Sequence, residues 1–575
     1  MSATRYPSMA AGWRLPNLWD AAAFLCVIGA LVAVGHVARG TLTRIDAPGA
    51  TQITLDPLNL PAYAVRTTLR MFAALAASLL FTFTYGTAAA KSRRAALVLV
   101  PVLDVLQSVP ILGFLTFTVV FFMSLFPGQV LGLELAAIFA IFTSQAWNMA
   151  FSLYQSLKTV PADLAEASAS FHLTAWQRFW KLEVPFATPG LVWNTMMSMS
   201  GGWFFVVASE AVSVGDNTWT LPGIGSYVAL ALAKKDLIAV GWAILAMLAV
   251  ILAYDQLLFR PLVAWSAKFR FETTAGATAS DPWMLRLMRR TRLLKFAGER
   301  VGDATSFIGG LRLSFGRRPR SATAPEPSRT VDIAWIALLA LTMAAAVWRV
   351  VLFASQSLDW ADVETATGLG LITLLRVVVL MIVASLIWVP IGVWLGLRPE
   401  WARRAQPVAQ FLAAFPANLL FPPFVLFIVH FSLSPDIWLT PLMVLGTQWY
   451  ILFNVVAGAA AFPGDLKEVA SNFRIGGWLW WRKVMIPGIF PYYVTGAITA
   501  SGGSWNAAIV AEVASWGDTK LQAHGLGAYI ADATDKGDMS RVVLGVVTMS
   551  AFVVLFNRLL WRPMYAYAQR RLTLG

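Results

Sequence analysis

Long apolar runs alternate with short polar segments along almost the whole chain. Several runs reach the roughly 20 residues that a helix needs to cross the apolar core of a bilayer. Backbone groups inside lipid must be paired within the structure, so helices are expected, and the alternating pattern of a membrane barrel is absent. The pattern predicts six spans on each side of a long polar stretch: 19–38, 64–89, 96–126, 129–155, 188–212, 237–258, 332–354, 368–396, 407–432, 436–460, 489–513 and 540–561.

Composition excludes an ordinary soluble protein. Hydrophobic residues make up 58% of the 575 residues and charged residues only 13%, whereas a soluble domain carries about 25% charged residues. The first apolar run, 21–37, lacks a small-x-small cleavage site, so we expect an uncleaved first span. The one cysteine, Cys26, rules out a disulfide framework within the chain.

Lysine and arginine are concentrated in one set of loops. These loops include Lys91, Arg93 and Arg94, whereas the opposite set is poorer in basic residues. The positive-inside rule then places both termini on the cytoplasmic side of the cell's inner membrane. We assign the net charge of +14 to this bias and expect contact with the lipid bilayer, not with nucleic acid.

A polar linker at 259–331 separates a first repeat, 1–258, from a second repeat, 332–575. Asp281-Pro282 has the residue types of an N-cap and a first helical position. The run 283–301 mixes Leu, Met and Phe with six basic residues. This mixture suits an amphipathic helix on the inner leaflet, and a solvated tether is the alternative.

The two halves are copies of one another. The polar loop from Glu166 to Pro185 recurs from Glu468 to Pro487, 302 positions later. Six spans per half would make the copies parallel, with a pseudo-two-fold axis along the membrane normal and a pathway at their interface. Further matched pairs, at an offset of 306 or 302, are Arg70/Arg376, Gly86/Gly392, Pro110/Pro416, Asn148/Asn454, Trp203/Trp505, Glu210/Glu512, Gly215-Asp216/Gly517-Asp518 and Gly223-x-Gly225/Gly525-x-Gly527.

These loops resemble the cytoplasmic loop of permeases of binding-protein-dependent ABC importers, which reads Glu-Ala-Ala-x3-Gly-x9-Ile-x-Leu-Pro. Two sets of residues match it, with His172 and Arg474 in place of the glycine: Glu166, Ala167 and Pro185, and Glu468, Ala470 and Pro487. The Trp, Glu and Gly-x-Gly series is similar to the nitrate, sulfonate and taurine branch. The resemblance implies an all-α polytopic membrane protein with two parallel six-helix repeats of the type I permease fold, which imports a small anion or organic acid.

The resemblance also implies partners. Short helices around 162–175 and 464–478, within coupling loops 158–187 and 462–488, would dock in grooves of two ATPase subunits. The chain lacks Gly-x4-Gly-Lys-[Ser/Thr], so ATP and Mg²⁺ would be bound by those subunits. An extracytoplasmic substrate-binding protein would deliver the substrate. The four histidines share no metal-binding spacing and no catalytic set is evident, so neither a metal, nor a cofactor, nor enzymatic activity is expected in this chain.

Polar residues within predicted spans are candidates for a pathway or gate, because such groups are costly in lipid. Seven residues separate each Trp from its Glu, which places both on one helix face. We expect Glu210 and Glu512 to face inward as partnered carboxylates, with Arg70 and Arg376, backbone amides or water as the candidate partners; substrate contact is the alternative. The full candidate set is Trp203, Glu210, Trp505, Glu512, Asn148, Asn454, Arg70 and Arg376, with Gln107, Asn194, Asn418, Gln448 and Asn506 as further polar residues.

Simpler structural roles are open for several of these residues. Asparagines in membrane helices commonly form interhelical hydrogen bonds, and Pro110 and Pro416 are expected to kink their helices. Two other protein classes also fit the pattern: a secondary transporter of six plus six helices that works without an ATPase, and a membrane-embedded enzyme or scaffold. The duplicated loop favours the importer, because it would have no purpose without a duplicated partner.

Overall fold

A computed structural model describes most of the chain. The residues described are 18–41, 43–45, 52–214, 217–269, 283–312, 329–355, 358–460, 462, 464–516 and 519–572. The proposed cap Asp281-Pro282 and the repeated pairs Gly215-Asp216 and Gly517-Asp518 lie outside these ranges.

The first repeat is mainly helical. Its helices are α1 (Leu18–Thr41), α2 (Leu60–Phe81), α3 (Thr87–Lys91), α4 (Arg93–Ser108), α5 (Ile111–Leu125), α6 (Val130–Lys158), α7 (Ala162–Ser170), α8 (Ala175–Arg178), α9 (Val184–Ser209), α10 (Ile224–Ala233), α11 (Leu237–Tyr254) and α12 (Arg260–Ser266). Strands β1 (Ala211–Val214) and β2 (Asn217–Thr220) form an antiparallel hairpin between α9 and α10.

The linker contains two helices where the sequence suggested one, α13 (Trp283–Arg290) and α14 (Arg292–Gly310). The second repeat contains α15 (Arg329–Ser355), α16 (Trp360–Gly396), α17 (Pro399–Ala414), α18 (Phe421–His430), α19 (Pro435–Trp438), α20 (Trp449–Ala460), α21 (Gly464–Asn472), α22 (Gly477–Trp480), α23 (Ile486–Ala511), α24 (Leu526–Asp535), α25 (Met539–Phe556) and α26 (Arg562–Arg571). Its hairpin consists of β3 (Val513–Trp516) and β4 (Thr519–Gln522). An all-α prediction therefore holds for the bulk of the fold and misses two short hairpins.

Within the described residues, five helical stretches are long and apolar enough to cross a membrane: Pro57–Lys91, Val130–Lys158, Leu237–Ser266, Trp360–Gly396 and Met539–Ala568. A sixth is added if Val408–Ala414 and Ala417–His430, bent by 85°, count as one span. Six spans per repeat therefore remain a prediction.

Two predicted spans, 96–126 and 407–432, are broken at their prolines. Pro110 and Pro416 both adopt an extended backbone, and a new helical turn starts directly after each of them. Proline lacks an N–H and its ring clashes with the preceding helical turn, so a continuous helix cannot pass through either position without a kink or break.

The predicted span 436–460 is also wrong as a single helix. The segment from Asp436 to Asn454 is four residues longer than the one from Glu134 to Asn148. The first repeat bridges its segment with the continuous helix α6, whereas the second has α19, a 3₁₀ turn at Thr440–Met443, and α20. The four extra residues thus break the helix in the second repeat only.

Proline also accounts for an irregularity that recurs directly before α9 and α23. A π-helical turn, Phe179–Glu183, precedes Pro185, and Trp481–Met485 precedes Pro487. A proline has no N–H to donate to the carbonyl four residues earlier, and its ring clashes with that carbonyl in a regular α-helix. A wider π-helical turn directly before the proline relieves this clash.

The described chain divides into two compact units by contacts. The smaller contains 1–39, 159–192 and 253–323, and the larger contains 40–158, 193–252 and 324–575. Helices α7, α8, α13 and α14 thus belong to the smaller unit. Both hairpins belong to the larger unit, as do α2, α6, α10, α16, α23 and α24, while α9 begins in the smaller unit and ends in the larger.

Reciprocal contacts join the repeats inside the larger unit. Helix α24 of the second repeat contacts β1 of the first, and helix α10 of the first contacts β3 of the second. Such exchange of equivalent contacts is the mark of a two-fold interface. It supports the pseudo-two-fold relation that the repeated sequence predicts.

The turn after α7 and the turn after α21 each contain a residue with a left-handed backbone. His172 has φ 51° and Arg474 has φ 50°, the two positions at which the resembled loop pattern has glycine. A residue with a Cβ pays roughly 1–2 kcal/mol in this conformation, and glycine pays none of this steric cost.

We therefore expect His172→Gly and Arg474→Gly each to leave the fold intact and to hold or raise the melting temperature of the purified protein. The β-branched variants His172→Val and Arg474→Val should lower it. A melting temperature that drops as far in the glycine variants as in the valine variants would show that these side chains, not backbone strain, govern the turn.

Candidate functional site

Each repeat buries a glutamate at the end of its central helix. Glu210 directly follows α9 and is fully buried. Its Oε1 accepts hydrogen bonds from Arg70 Nη1 and from Thr67 Oγ1, each at 2.7 Å. Its Oε2 accepts one from the backbone N–H of Gly225 at 2.6 Å. Both oxygens of the carboxylate are therefore held, from α2 on one side and from the start of α10 on the other.

The Gly-x-Gly motif is explained by this carboxylate. A Cβ on Gly223 would collide with the carboxylate of Glu210, and a Cβ on Gly225 would collide with the carbonyl oxygen of Val207. The N–H of Ile224, between the two glycines, donates to Thr67 Oγ1 at 3.0 Å. The glycines therefore let the backbone approach closely enough to hydrogen-bond the buried acid.

The second repeat repeats this arrangement. Glu512 accepts hydrogen bonds from Arg376 at 3.0 Å and from Thr373 at 2.8 Å. The backbone N–H of Gly527 donates to its other oxygen at 2.8 Å, and that of Leu526 donates to Thr373 at 2.9 Å. The two ion pairs predicted from the sequence are thus present, inside the protein and in equivalent surroundings.

A second acidic residue in each cluster distinguishes the two sites. In the first repeat Glu134 makes a bidentate contact with Arg70, at 2.6 and 2.7 Å, and its side chain is only 5% exposed. In the second repeat Arg376 reaches Asp436 at 3.0 Å, and Asp436 is 40% exposed. Asp436 follows Glu134 by 302 positions. The sequence analysis missed this pair because the offset in that region was taken as 306.

Asp436 has a further partner in His524. The backbone N–H of His524 donates to Oδ1 of Asp436 at 2.7 Å, and its ring Nδ1 lies 3.0 Å from Oδ2. Partial burial acts to raise the pKa of Asp436, but the hydrogen bonds from His524 and the charge of Arg376 outweigh it and hold the pKa below its ordinary value. The second acidic cluster is therefore open to water at one end, while the first is closed.

A cavity of about 70 Å³ lies between the repeats, inside the larger unit. This is room for a few waters or one small polyatomic ion. Its lining includes Ser200, Gly201 and Phe204 from α9, and Thr447, Tyr450 and Gly503 from the second repeat. Gly201 and Gly503 are repeat equivalents, which places the cavity at the interface between the halves.

The lining of this cavity is uncharged and offers hydroxyl groups among aromatic and small side chains. None of the predicted pathway residues lines it. Trp203 and Trp505 are almost completely buried, and the indole of Trp505 stacks against Phe552 with ring centroids 6.4 Å apart. The residues that do line the cavity are mostly small or aromatic residues within predicted spans. The sequence does not distinguish such residues from those that merely pack helices together.

Asn506 joins the two repeats beside the first proline break. Its Oδ1 accepts a hydrogen bond of 2.6 Å from the backbone N–H of Ile111, the first residue of α5 after Pro110. That N–H has no partner within its own helix, because it lies in the first turn. The repeat equivalent of Asn506 is Phe204, which cannot accept such a bond, so this link exists in one direction only.

The other polar candidates serve mainly as helix contacts. Asn148 Nδ2 donates to Ser198 Oγ at 3.1 Å, and Asn194 Nδ2 donates to Ser152 Oγ at 3.0 Å; both bonds join α6 to α9. Asn454 donates within its own helix to the carbonyl of Tyr450 at 2.8 Å. Gln107 is exposed, Gln448 Oε1 accepts from Trp388 at 2.9 Å, and Asn418 Oδ1 is buried without a hydrogen-bond partner among the described residues.

The two polar loops fold alike. Helices α7 and α21 carry Glu166 and Glu468 on exposed positions, and both are followed by the left-handed turn, a short helix and the π-helical turn before the proline. Ala470 is 4% exposed, and its repeat equivalent Ser168 is 6% exposed. One face of each helix is therefore packed against the protein, while Glu166, Ala167 and Glu468 remain accessible to a partner.

The second loop also borders an open socket of about 230 Å³. It is lined by Leu466, Val469 and Ala470 of α21, by Pro487, and by Arg571 at the end of α26. Its lining is mainly apolar and includes the basic residues Lys483 and Arg571.

Comparison with known proteins agrees with this geometry. The family model described as "Binding-protein-dependent transport system inner membrane component" matches twice, at residues 82–259 and 388–572, which together cover more than half of the chain. Each match contains one polar loop and one buried glutamate with its glycines.

Similar curated proteins are membrane permeases. The bicarbonate transport system permease protein CmpB of Synechococcus elongatus is 29% identical over 176 residues, 31% of this chain and 60% of that protein. The nitrate import permease protein NrtB of Leptolyngbya laminosa is 27% identical over 187 residues, 32% of this chain and 63% of that protein. The glycine betaine/proline betaine permease ProW of Escherichia coli is 26% identical over 230 residues, 39% and 59% respectively. The chain thus spans about three fifths of these relatives.

The difference between the two acidic clusters predicts unequal mutational costs. Arg70→Gln leaves Glu134 and Glu210 buried without their cation, which should cost on the order of 3–5 kcal/mol. Arg376→Gln leaves Asp436 partly exposed to water and next to His524, so the loss should be smaller. Melting temperatures of the purified variants test this, with Arg70→Lys, which keeps the charge, expected to recover part of the loss. Equal losses in the two glutamine variants would contradict this account of the clusters.

Proposed function

This chain belongs to the family of inner-membrane components of binding-protein-dependent transport systems, and we propose that it alone supplies both membrane halves of an ATP-driven importer. The family match in two copies carries this proposal, since it places one permease domain on each side of the linker. The reciprocal contacts of α10 with β3 and of α24 with β1 support the pairing of these domains within a single chain.

We propose the cavity between the repeats as part of the substrate pathway. Gly201 and Gly503 border it at equivalent positions, and Ser200, Thr447 and Tyr450 line it with hydroxyl groups. A hydroxyl that rotates away from its partner within the protein, as Ser200 would from the carbonyl of Met196, can donate a hydrogen bond to a small anion. The absence of a cationic group from the described lining is compatible with transport, because a conducting site must bind its ion weakly enough to release it. The names of the bicarbonate and nitrate relatives support a small anion as the substrate.

We propose that α7 and α21 are the elements that couple the permease to two ATPase subunits. Both are short, exposed helices that carry a glutamate, and both are connected through the π-helical turn and proline to the central helices α9 and α23. Those helices lead directly to Glu210 and Glu512. A movement of either short helix therefore has a continuous route to the buried ion pair of its own repeat, as a rigid-body transition would require.

Further partners follow from the same proposal. A substrate-binding protein would deliver the substrate from outside the inner membrane, and both termini would lie in the cytoplasm. ATP and Mg²⁺ would be bound by the ATPase subunits. In this proposal Glu210 and Glu512 each hold together the helix ends of their own repeat, near the outer side of the membrane, and do not contact the substrate.

The coupling role predicts a specific loss in the double variant Glu166→Ala, Glu468→Ala. Both side chains are exposed, so folding and membrane insertion should be unchanged, while transport and transport-stimulated ATP hydrolysis of the purified complex should decrease. The two single losses should not add, since the helices act as one unit. Glu364→Ala removes another exposed carboxylate and should have no effect. Full transport in the double variant would overturn the assignment.

The pathway role predicts that Gly201→Ala and Gly503→Ala reduce transport. A Cβ at Gly201 would lie 2.8 Å from the hydroxyl oxygen of Tyr450, and one at Gly503 would lie 2.5 Å from Thr447 Cγ2, so each methyl group narrows the cavity. Gly241→Ala is the matched control, because no atom lies within 4 Å of a Cβ there. The measurement is ATP-dependent uptake by the complex of this chain with its ATPase subunits in liposomes, and unchanged uptake in a folded Gly201→Ala, Gly503→Ala double variant would place the pathway elsewhere.

A further inference from the structure

The C-terminal end of the linker helix α14 is hydrogen-bonded to α8, which lies in the first coupling loop, 158–187 (the first coupling segment). The indole N–H of Trp176 donates to the carbonyl oxygen of Ile308 at 2.6 Å, and Gln177 Nε2 donates to that of Gly310 at 2.9 Å. The last carbonyls of a helix lack partners within the helix, so these side chains of α8 act as its cap. Gly309 lies directly on Trp180, with 3.2 Å between a Cβ placed on Gly309 and Cβ of Trp180.

Among the residues that the structure describes, the second repeat shows no counterpart of this attachment. Trp478 and Leu479 occupy the positions equivalent to Trp176 and Gln177, and they are 73% and 52% exposed. A leucine side chain has no donor for a helix carbonyl. In the first repeat the linker helix therefore covers the surface of α8, whereas the equivalent surface of α22 in the second repeat is exposed.

The exposed surface of α22 indicates where the membrane boundary lies. Trp478 lies on α22, immediately before the π-helical turn and the proline that opens α23. Tryptophan is enriched where membrane helices meet the water interface, and an exposed tryptophan and leucine at the base of a span fit lipid headgroups and upper acyl chains. The equivalent Trp176 then lies at the same kind of boundary, and the end of α14 that it caps lies there too.

The exposed surface of α13 and α14 has the chemistry of a membrane-binding helix pair. Trp283 is 48% exposed, Phe296 57% and Phe307 71%. Residues 283–310 contain six Lys and Arg and two Asp and Glu, a net charge of +4. Exposed aromatic side chains together with excess positive charge match a bilayer surface that contains anionic lipids.

We propose that α14 binds the anionic surface of the inner leaflet and is fixed through Trp176 and Gln177 to the first coupling segment. Lipid bound by α14 is then connected, through Trp176 and Gln177, to the first coupling loop, 158–187. The equivalent residues Trp478 and Leu479 give the second coupling loop, 462–488, no such connection. The lipid binding itself stands apart from the transport function; only its contact with coupling rests on the proposed function.

The test uses the purified full chain alone in lipid nanodiscs. Cys26→Ser removes the single native thiol, and Phe307→Cys then carries an environment-sensitive fluorescent dye. Ser306→Cys is the matched control, because the neighbouring residue is also exposed but is rotated by about 100° around the helix, toward its polar side. Lipids with a spin label near the top of the acyl chain quench a dye that reaches them.

We expect quenching at position 307 to be several-fold stronger than at 306 and to increase when phosphatidylglycerol replaces part of a zwitterionic lipid. Lys295→Gln with Arg300→Gln should abolish that increase, whereas Glu299→Gln should preserve it. Quenching that is equal at both positions, or indifferent to lipid charge, would overturn the proposal and leave a solvated linker or a protein partner. Because neither transport nor ATP hydrolysis is measured, failure here is distinct from failure of the importer function.

Discussion

The buried pair of arginine and glutamate in each repeat is the interaction on which the membrane core depends. A charge inside a membrane protein is tolerated only where it is paired and hydrogen-bonded. Glu210 satisfies this condition through Arg70, Thr67 and the backbone at Gly225. Glu210 directly follows α9, and its partners lie on α2 and at the start of α10, so one carboxylate fixes three helices to one another.

The same constraint explains why the halves are similar and where they differ. Both need the glutamate, the threonine, the arginine and the two glycines, because loss of any one would leave a buried polar group unpaired or force the backbone away. The halves differ in the second acidic residue of each cluster, which is buried in the first repeat and partly exposed in the second. Glu134 closes the first cluster, and Asp436 with His524 leaves the second accessible. The two repeats therefore have the same hydrogen bonds around the buried glutamate, and they differ in the second acidic residue of the cluster and in their contacts with the linker.

Sequence reasoning predicted the features that follow from repetition and from the cost of buried charge. The pairing of Glu210 with Arg70, the parallel halves and the short helices after Pro161 and before Arg474 all rest on these two rules. It missed Thr67 and Glu134, since a threonine in a span has many ordinary roles and the offset between repeats changes near Asp436. It also missed the hairpins, whose four-residue strands are too short to show a period, and the end of α14 on Trp176, which is a tertiary contact without a local pattern.

The central claim is that one chain forms a complete permease driven by separate ATPases. The most direct measurement is uptake of radiolabelled nitrate or bicarbonate into liposomes that contain the complex purified through this chain. The account predicts one copy of this chain with two ATPase subunits, and uptake that requires ATP on the side of the coupling segments. Uptake by the chain alone, driven by an ion gradient and indifferent to ATP, would contradict it.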